Sequence, residues 1–211
     1  IYIAGLRKPW SGGFDNNFIS LFDNSGSGYH DALIETGGAS AHVALDRSGN
    51  VYYNYYSPNG VSELFRWTAD QVASAKNDLA AGEEDTYLSL ADGEKLSDLP
   101  GGGNGIVVDD AGHVLITTNV YPNSKLMMWN GNSGDGDNYE LIGVNPDGGF
   151  AWFGPLSIEG DFTKGDPLYG SYGFNGPVTE IMADPVPVPS AFLMLAAGLT
   201  GLAGMGRRKR S

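Results

Sequence analysis

One short phrase recurs along this chain: an apolar run, an Asp or Asn, two residues, a Gly, and a second apolar run. It reads Ala41-His42-Val43-Ala44-Leu45-Asp46-Arg47-Ser48-Gly49-Asn50-Val51-Tyr52-Tyr53, and again Asn104-Gly105-Ile106-Val107-Val108-Asp109-Asp110-Ala111-Gly112-His113-Val114-Leu115-Ile116. A weaker third copy is Ile142-Gly143-Val144-Asn145-Pro146-Asp147-Gly148-Gly149-Phe150. The Asx side chain bonds forward to backbone donors, while Gly takes the positive φ that closes the turn. Each copy is therefore a predicted β-hairpin. A chain that makes the same hairpin repeatedly is confined to antiparallel sheets. Composition agrees: 32 Gly and 11 Pro among 211 residues exceed ordinary usage and argue against a helical bundle. At 41% hydrophobic and 11% aromatic, the chain is too apolar to be disordered.

The turn residues Asp46 and Asp109 stand 63 positions apart, and Asn145 follows 36 later. The longer gap holds an insertion, in which Thr68-Ala69-Asp70-Gln71 reads as a capping box. It opens a helix running to about Leu79–Ala81, stopped by Gly82 and followed by a solvated loop at Glu83, Glu84 and Asp85. Setting aside these roughly thirty residues returns the spacing to about 30–40, the length of a propeller blade. Ser62-Glu63-Leu64-Phe65-Arg66-Trp67 and Ser124-Lys125-Leu126-Met127-Met128-Trp129 give both copies a third strand ending in Trp. The Asp-x-x-Gly-Asn-Val-Tyr phrase resembles the blades of NHL-type β-propellers over about residues 40–130. The resemblance implies a partial or truncated propeller of antiparallel strands over residues 1–183. Ile1–Ile3 and Phe18–Phe22 would then be later strands of an earlier blade. A β-sandwich is the rival architecture.

Charge limits the partners. Twelve Lys and Arg oppose 25 Asp and Glu, a formal −13. Arg207, Arg208, Lys209 and Arg210 close the chain, and no acid follows Asp184. Residues 1–184 thus set eight cations against 25 acids, a formal −17. Such a body repels phosphate backbones, so no nucleic acid is expected as a partner. No cysteine is present, which removes disulfides, thiol catalysis and cysteine zinc sites.

The C-terminal segment has three parts in order. Asp184-Pro185-Val186-Pro187-Val188-Pro189-Ser190 is an extended, Pro-rich spacer over 184–190. Residues 191–206 carry no charge and, as a helix, reach about 24 Å, slightly short of a ~30 Å hydrocarbon core. The basic cluster should remain cytoplasmic and leave the acidic body across the membrane. Residues 191–211 are accordingly a predicted transmembrane sorting tail, the rival being a helix of a water-soluble core. Val186, Pro187, Val188, Pro189 and Ser190, the apolar run and Arg207–Arg210 together resemble the V-P-x-P variant of PEP-CTERM tails, with Val188 where Glu is usual. That resemblance implies export in a Gram-negative bacterium making extracellular polysaccharide, an inner-membrane intermediate, and processing by the membrane protease–transpeptidase exosortase. It implies an address rather than an activity. The chain opens at Ile1 without a leader pattern, and the expectation is a sequence that begins mid-chain.

Residues able to do chemistry are sparse. Asp46 and Asp109 suit either turn capping or metal ligation. Asn130, Asn132, Asp135 and Asp137 alternate on a Gly-rich loop, which suits calcium or a plain polar loop, and the full calcium-loop register is not reproduced. His30, His42 and His113 share no spacing, and neither a zinc motif nor a triad is readable. Gly38-Ala39-Ser40-Ala41-His42 departs from a nucleophile elbow, because His replaces the second Gly and a strand follows. Gly101–Gly105 reads as a loop lacking the helix N-terminus that holds phosphate. Tyr52 and Tyr56 should share one strand face and Tyr53 and Tyr55 the other, either as core or as a stacking surface for sugars. The expectation is an exported, non-catalytic binding or scaffolding protein without a resident cofactor, whose partners are exosortase, the membrane and surface polysaccharide or proteins. The alternative is a calcium-dependent propeller hydrolase of the lactonase kind.

Overall fold

The computed structural model describes residues 2–6, 17–22, 29–37, 42–56, 62–81, 87–119, 124–144, 153–172 and 178–181. Among the described residues the chain is all-β apart from one helix and two short 3-10 turns. In the first sheet, β1 (Tyr2–Leu6) pairs antiparallel with β2 (Asn17–Phe22), and β2 with β3 (Tyr29–Glu35). The first two strands match the sequence expectation, whereas β3 has no counterpart in it. The sequence places the first two as later strands of a blade. Instead, β1 is an edge strand in contact with the first strand of the next sheet.

The second sheet begins as predicted. β4 (Val43–Leu45) and β5 (Val51–Tyr56) flank the Asp46 turn, and β6 (Ser62–Trp67) is third in order. The inserted helix α1 (Ala69–Ala80) follows, and its box is closed: Thr68 N donates to Gln71 Oε1 at 2.8 Å and Gln71 N to Thr68 Oγ1 at 3.3 Å. Gly82, Glu83, Glu84 and Asp85 lie outside the described residues. Beyond them the insertion is more than a loop. β7 (Leu88–Ser89) adds in parallel to β3, with Ile34 against Leu88, and so completes the first sheet. β8 (Glu94–Leu99) then returns to pair with β6. Gly93, just before it, lies against the ring of Trp67, where an added Cβ would come within 2.8 Å of Cε2.

The third sheet runs β9 (Gly102–Val108), β10 (Val114–Asn119), β11 (Lys125–Trp129) and β12 (Tyr139–Val144). Both Trp67 and Trp129 close third strands, as expected. Gly102–Gly105 is strand rather than loop: Asn119 pairs with Gly102, Thr118 with Gly103 and Thr117 with Gly105, so Asn104 is skipped in the register. The predicted third hairpin is overturned. Ile142–Val144 end the outer strand of the third sheet, whereas β13 (Phe153–Ile158), β14 (Leu168–Tyr172) and β15 (Val178–Ile181) form a separate fourth sheet. The intervening 145–152, which include the Asn145–Gly148 turn and Phe150 of that hairpin, lie outside the described residues.

The sheets stack in series, with β9 packed against β4 and β5 on one side and β13 on the other. Alternation along the strands makes this stacking work. Val51 and Tyr53 join Ile19, Leu33, Phe65 and Trp67 between the first two sheets. Tyr52, Leu64 and Leu96 meet Ile106, Ile116 and Met127 between the second and third. Leu115 and Leu126 meet Phe162 and Leu168 between the third and fourth. Middle sheets covered on both faces need near-continuous apolar strands, which is why Val51-Tyr52-Tyr53 and Val114-Leu115-Ile116 lack polar alternation. Each such side chain contributes about 1.5–3 kcal/mol on burial. Phe65 and Trp67 stack with ring centroids 6.1 Å apart. The described residues form four sheets where a sandwich would have two, and these sheets do not close into a ring. Among the described residues no helix is long and apolar enough to cross a membrane. The spacer, apolar run and basic end over 184–211, including Val186–Ser190 and Arg207–Arg210, lie outside those residues.

Candidate functional site

The hairpin turns of the second and third sheets have matching hydrogen bonds. Asp46 Oδ1 accepts from Ser48 N and Asn50 N, each at 2.9 Å. Asp109 Oδ1 accepts from Ala111 N at 2.9 Å and His113 N at 2.8 Å. Gly49 and Gly112 close the two turns at φ 91° and 90°, where a side chain would be strained. The second carboxylate oxygens also correspond. Asp46 Oδ2 accepts from Asn50 Nδ2 at 2.6 Å, and His113 Nδ1 lies 2.8 Å from Asp109 Oδ2. Since a carboxylate accepts and Asn50 donates in the same slot, His113 carries its proton on Nδ1.

The last partner differs. Asp46 Oδ2 receives the Tyr52 hydroxyl of its own sheet at 3.2 Å, whereas Asp109 Oδ2 receives Phe162 N of the fourth sheet at 3.0 Å. Asp110 extends the same seam, its N donating to Gly160 O at 2.8 Å and its Oδ2 pairing with Arg47 at 2.6 Å. Three successive turns are thereby tied side by side on one face. A cleft of about 170 Å³ between the first two is lined by Asp46, Arg47, Ser48 and residues 109–112.

The connection between β13 and β14 brings Asp161 into this row. Its Oδ1 accepts from Thr163 N at 3.0 Å and Thr163 Oγ1 at 2.7 Å, and its Oδ2 pairs with Lys164 at 2.8 Å. Lys164, followed by the Thr163 bonds, holds the Asp161 carboxyl down at about 2. Asp161 Oδ1 also stands 3.7 Å from His113 Nδ1. Ligand atoms of Asp109, His113 and Asp161 lie within 4.8 Å of one another, a donor set that could hold a divalent cation. To do so His113 must surrender the Nδ1 proton, and Asp109 Oδ2 must share the lone pairs already facing Phe162 N. The arrangement as it stands couples turns. Sequence spacing missed it, because Asp161 carries Gly at the fourth following position rather than the third. One signal was available: Asn50 and His113 occupy the same slot after the turn Gly.

The Asn130–Asp137 loop has different duties at each position. Asn130 Oδ1 accepts from Asn132 N at 2.9 Å, and Asn132 O accepts from Trp129 Nε1. Asp135 pairs with Lys95 at 2.8 Å, and Asp137 bonds the Tyr139 hydroxyl. The loop backbone lies along β8: Gly134 N donates to Lys95 O at 3.0 Å, Asp98 N to Gly136 O at 2.9 Å and Asn138 N to Ser97 Oγ at 3.0 Å. It thus covers the outer edge of the second sheet, an edge otherwise open to further pairing. Lys95 sits at its centre, 2.8 Å from Glu63 and 2.7 Å from Asp98, and these carboxylates raise its affinity for the proton despite the opposing effect of burial. Alongside, Arg66 pairs with Glu94 and stands over the Trp129 ring, 5.5 Å from its centroid.

The tyrosines divide as predicted, Tyr53 and Tyr55 toward the first sheet and Tyr52 toward the third. The side chain of Tyr56 is outside the described residues, as is that of His30 on β3. His42 is exposed immediately before β4, with a strand following it, and Ser40 lies outside the described residues. No protein-family model matches this chain, and a search of curated proteins returns no significant relative.

Proposed function

We propose that this chain is a non-catalytic, propeller-like scaffold, exported and sorted to the cell surface or extracellular matrix by exosortase through its C-terminal tail. The observation that carries the scaffold reading is the row of coupled turns. Asp46, Asp109 and Asp161, the carboxylates best placed for chemistry, each accept several hydrogen bonds that hold their turns, and Asp109 also accepts from Phe162 N of the neighbouring sheet. Serial stacking through β4, β9 and β13 supports the propeller-like description, each sheet standing for one blade. The Val186–Ser190 spacer, the uncharged 191–206 and the Arg207–Arg210 cluster support the sorting reading. An acidic body favours surface polysaccharide or protein partners over nucleic acid.

Expressing the full chain in hosts with and without exosortase tests sorting. The expected result is a shorter, surface-located product only where exosortase is present. Unchanged size and location in both hosts would refute it. The alternative, a calcium-dependent hydrolase, draws its support from the Asp109–His113–Asp161 group. It requires calcium or another divalent cation to raise the melting temperature and to enable lactone hydrolysis. The scaffold reading expects neither effect.

A further inference from the structure

Three buried side-chain oxygens among the described residues have no hydrogen-bond partner: Asn54 Oδ1, Ser62 Oγ and Thr118 Oγ1. They come from three strands in two sheets, yet all face one seam. Asn54 follows Tyr52 by two positions on β5, Ser62 precedes Leu64 by two on β6, and Thr118 follows Ile116 by two on β10. Tyr52, Leu64 and Ile116 all belong to the core between the second and third sheets. Asn54 is paired with Leu64 and Ser62 with Tyr56, so Asn54 and Ser62 are diagonal neighbours about 7–8 Å apart. From the other side, Asn54 Nδ2 reaches Gly105 O only at 3.5 Å, the outer limit of such a bond. Gly105 pairs with Thr117, next to Thr118, and Thr118 itself is registered against Gly103. A glycine at that point adds no side chain to the seam.

A buried oxygen without a partner is costly and uncommon, and three in one layer point to a shared polar site. We propose that this end of the second–third seam is an internal water site, in which ordered water bridges Asn54 Oδ1, Ser62 Oγ and Thr118 Oγ1. All three residues are at least 97% buried, which suits a molecule no larger than water. The donor set is uncharged. An amide oxygen that only accepts and two hydroxyls that do both match water's two donors and two acceptors. The Asp46 and Asp109 turns precede β5 and β10, whereas Asn54 and Thr118 stand near the ends of those strands. The bridge therefore fastens the seam at the end opposite the turns.

Melting of the full chain with Thr118→Val, Ser62→Ala and both together tests this. Thr118→Val keeps the side-chain shape, so removing a bridged hydroxyl lowers the melting temperature, while removing an unbridged one leaves or raises it. The expected result is a fall of about 2–4 °C for each variant. The double variant should fall by less than the sum, because both changes break one bridge. An unchanged or higher melting temperature for Thr118→Val, or strictly additive losses, would overturn the proposal. A high-resolution crystal structure of the wild-type chain is the independent readout. Solvent density within hydrogen-bond distance of the three oxygens supports the site, and a dry seam or direct protein partners refute it.

Discussion

Replacing Asp109 by Asn separates a turn cap from a bond between sheets. Asp109 is buried and accepts four hydrogen bonds, from Ala111 N, His113 N, His113 Nδ1 and Phe162 N. An Asn keeps one oxygen for the two backbone donors of the turn and presents an NH₂ group in place of Oδ2. His113 can answer by shifting its proton to Nε2 and accepting at Nδ1. Phe162 N cannot adapt, and it is left facing another donor in the interior. Loss of one bond to a charged acceptor, with a buried donor unsatisfied, costs about 2–4 kcal/mol. Asp46→Asn is the control, since the two donors on its Oδ2, Asn50 Nδ2 and the Tyr52 hydroxyl, meet it at a half-buried turn where water can take over the lost bonds; the cost there is about 1 kcal/mol. At about 2–4 °C per kcal/mol for a chain of this size, Asp109→Asn lowers the melting temperature by about 5–15 °C and Asp46→Asn by about 2–4 °C. Thermal melts followed by circular dichroism, with urea titrations alongside, read the difference. Equal losses in the two variants would refute the claim that the Asp109–Phe162 bond couples the third and fourth sheets.

His113→Asn should be tolerated to within about 1 kcal/mol, because Asn50 already makes the equivalent donation, whereas His113→Leu leaves Asp109 short of a donor and costs about 2 kcal/mol or more by chemical denaturation. Lys95→Met leaves Glu63, Asp98 and Asp135 facing one another; the loss is about 1–2 kcal/mol at low ionic strength and shrinks as salt is added, read from melts across a salt series. Acid should loosen the chain through Asp161, held down to about 2 chiefly by Lys164, and through Asp98, lowered chiefly by Lys95. Both carboxyls have folded values below their unfolded ones, so their contribution is present above the unfolded carboxylate range and is lost as pH falls through the lowered values, toward about 2 for Asp161, which a pH series of melts follows. Gly93→Ala forces a methyl into the Trp67 ring and costs about 1–3 kcal/mol, with Trp fluorescence at matched denaturant as the measurement.

What was legible in the sequence is what four or five adjacent residues settle among themselves. The Asp46 and Asp109 turns, the Thr68–Gln71 box and the two-sided tyrosines of β5 depend on bonds and alternation within a few positions. What was not legible depends on partners far along the chain. Asn145-Pro146-Asp147-Gly148 looks like the turn phrase, yet the strands on either side of it belong to different sheets. Asp161 sits on a turn with one residue more than the phrase allows, and only Phe162 packing beside Asp109 reveals its place. Tyr29–Glu35 carries His30 and Asp31 amid apolar residues and has no flanking turn of the repeated kind, so β3 went unread. The Asn130–Asp137 oxygens look like ligands in isolation, and the contacts with Lys95 and β8 that define the loop come from a strand some forty residues earlier.

β7 has a consequence for how the chain is made. The first sheet receives its last strand from residues 88–89, after the whole of β4, β5, β6 and α1 has been synthesised. During synthesis from the N-terminus, β3 must wait with one side unpaired while the following hairpins form. Long-range pairing of this kind is slow compared with hairpin closure. The first sheet should therefore gain protease resistance in the nascent chain only after residues 88–89 have emerged, later than the β4–β6 hairpins that lie between its strands.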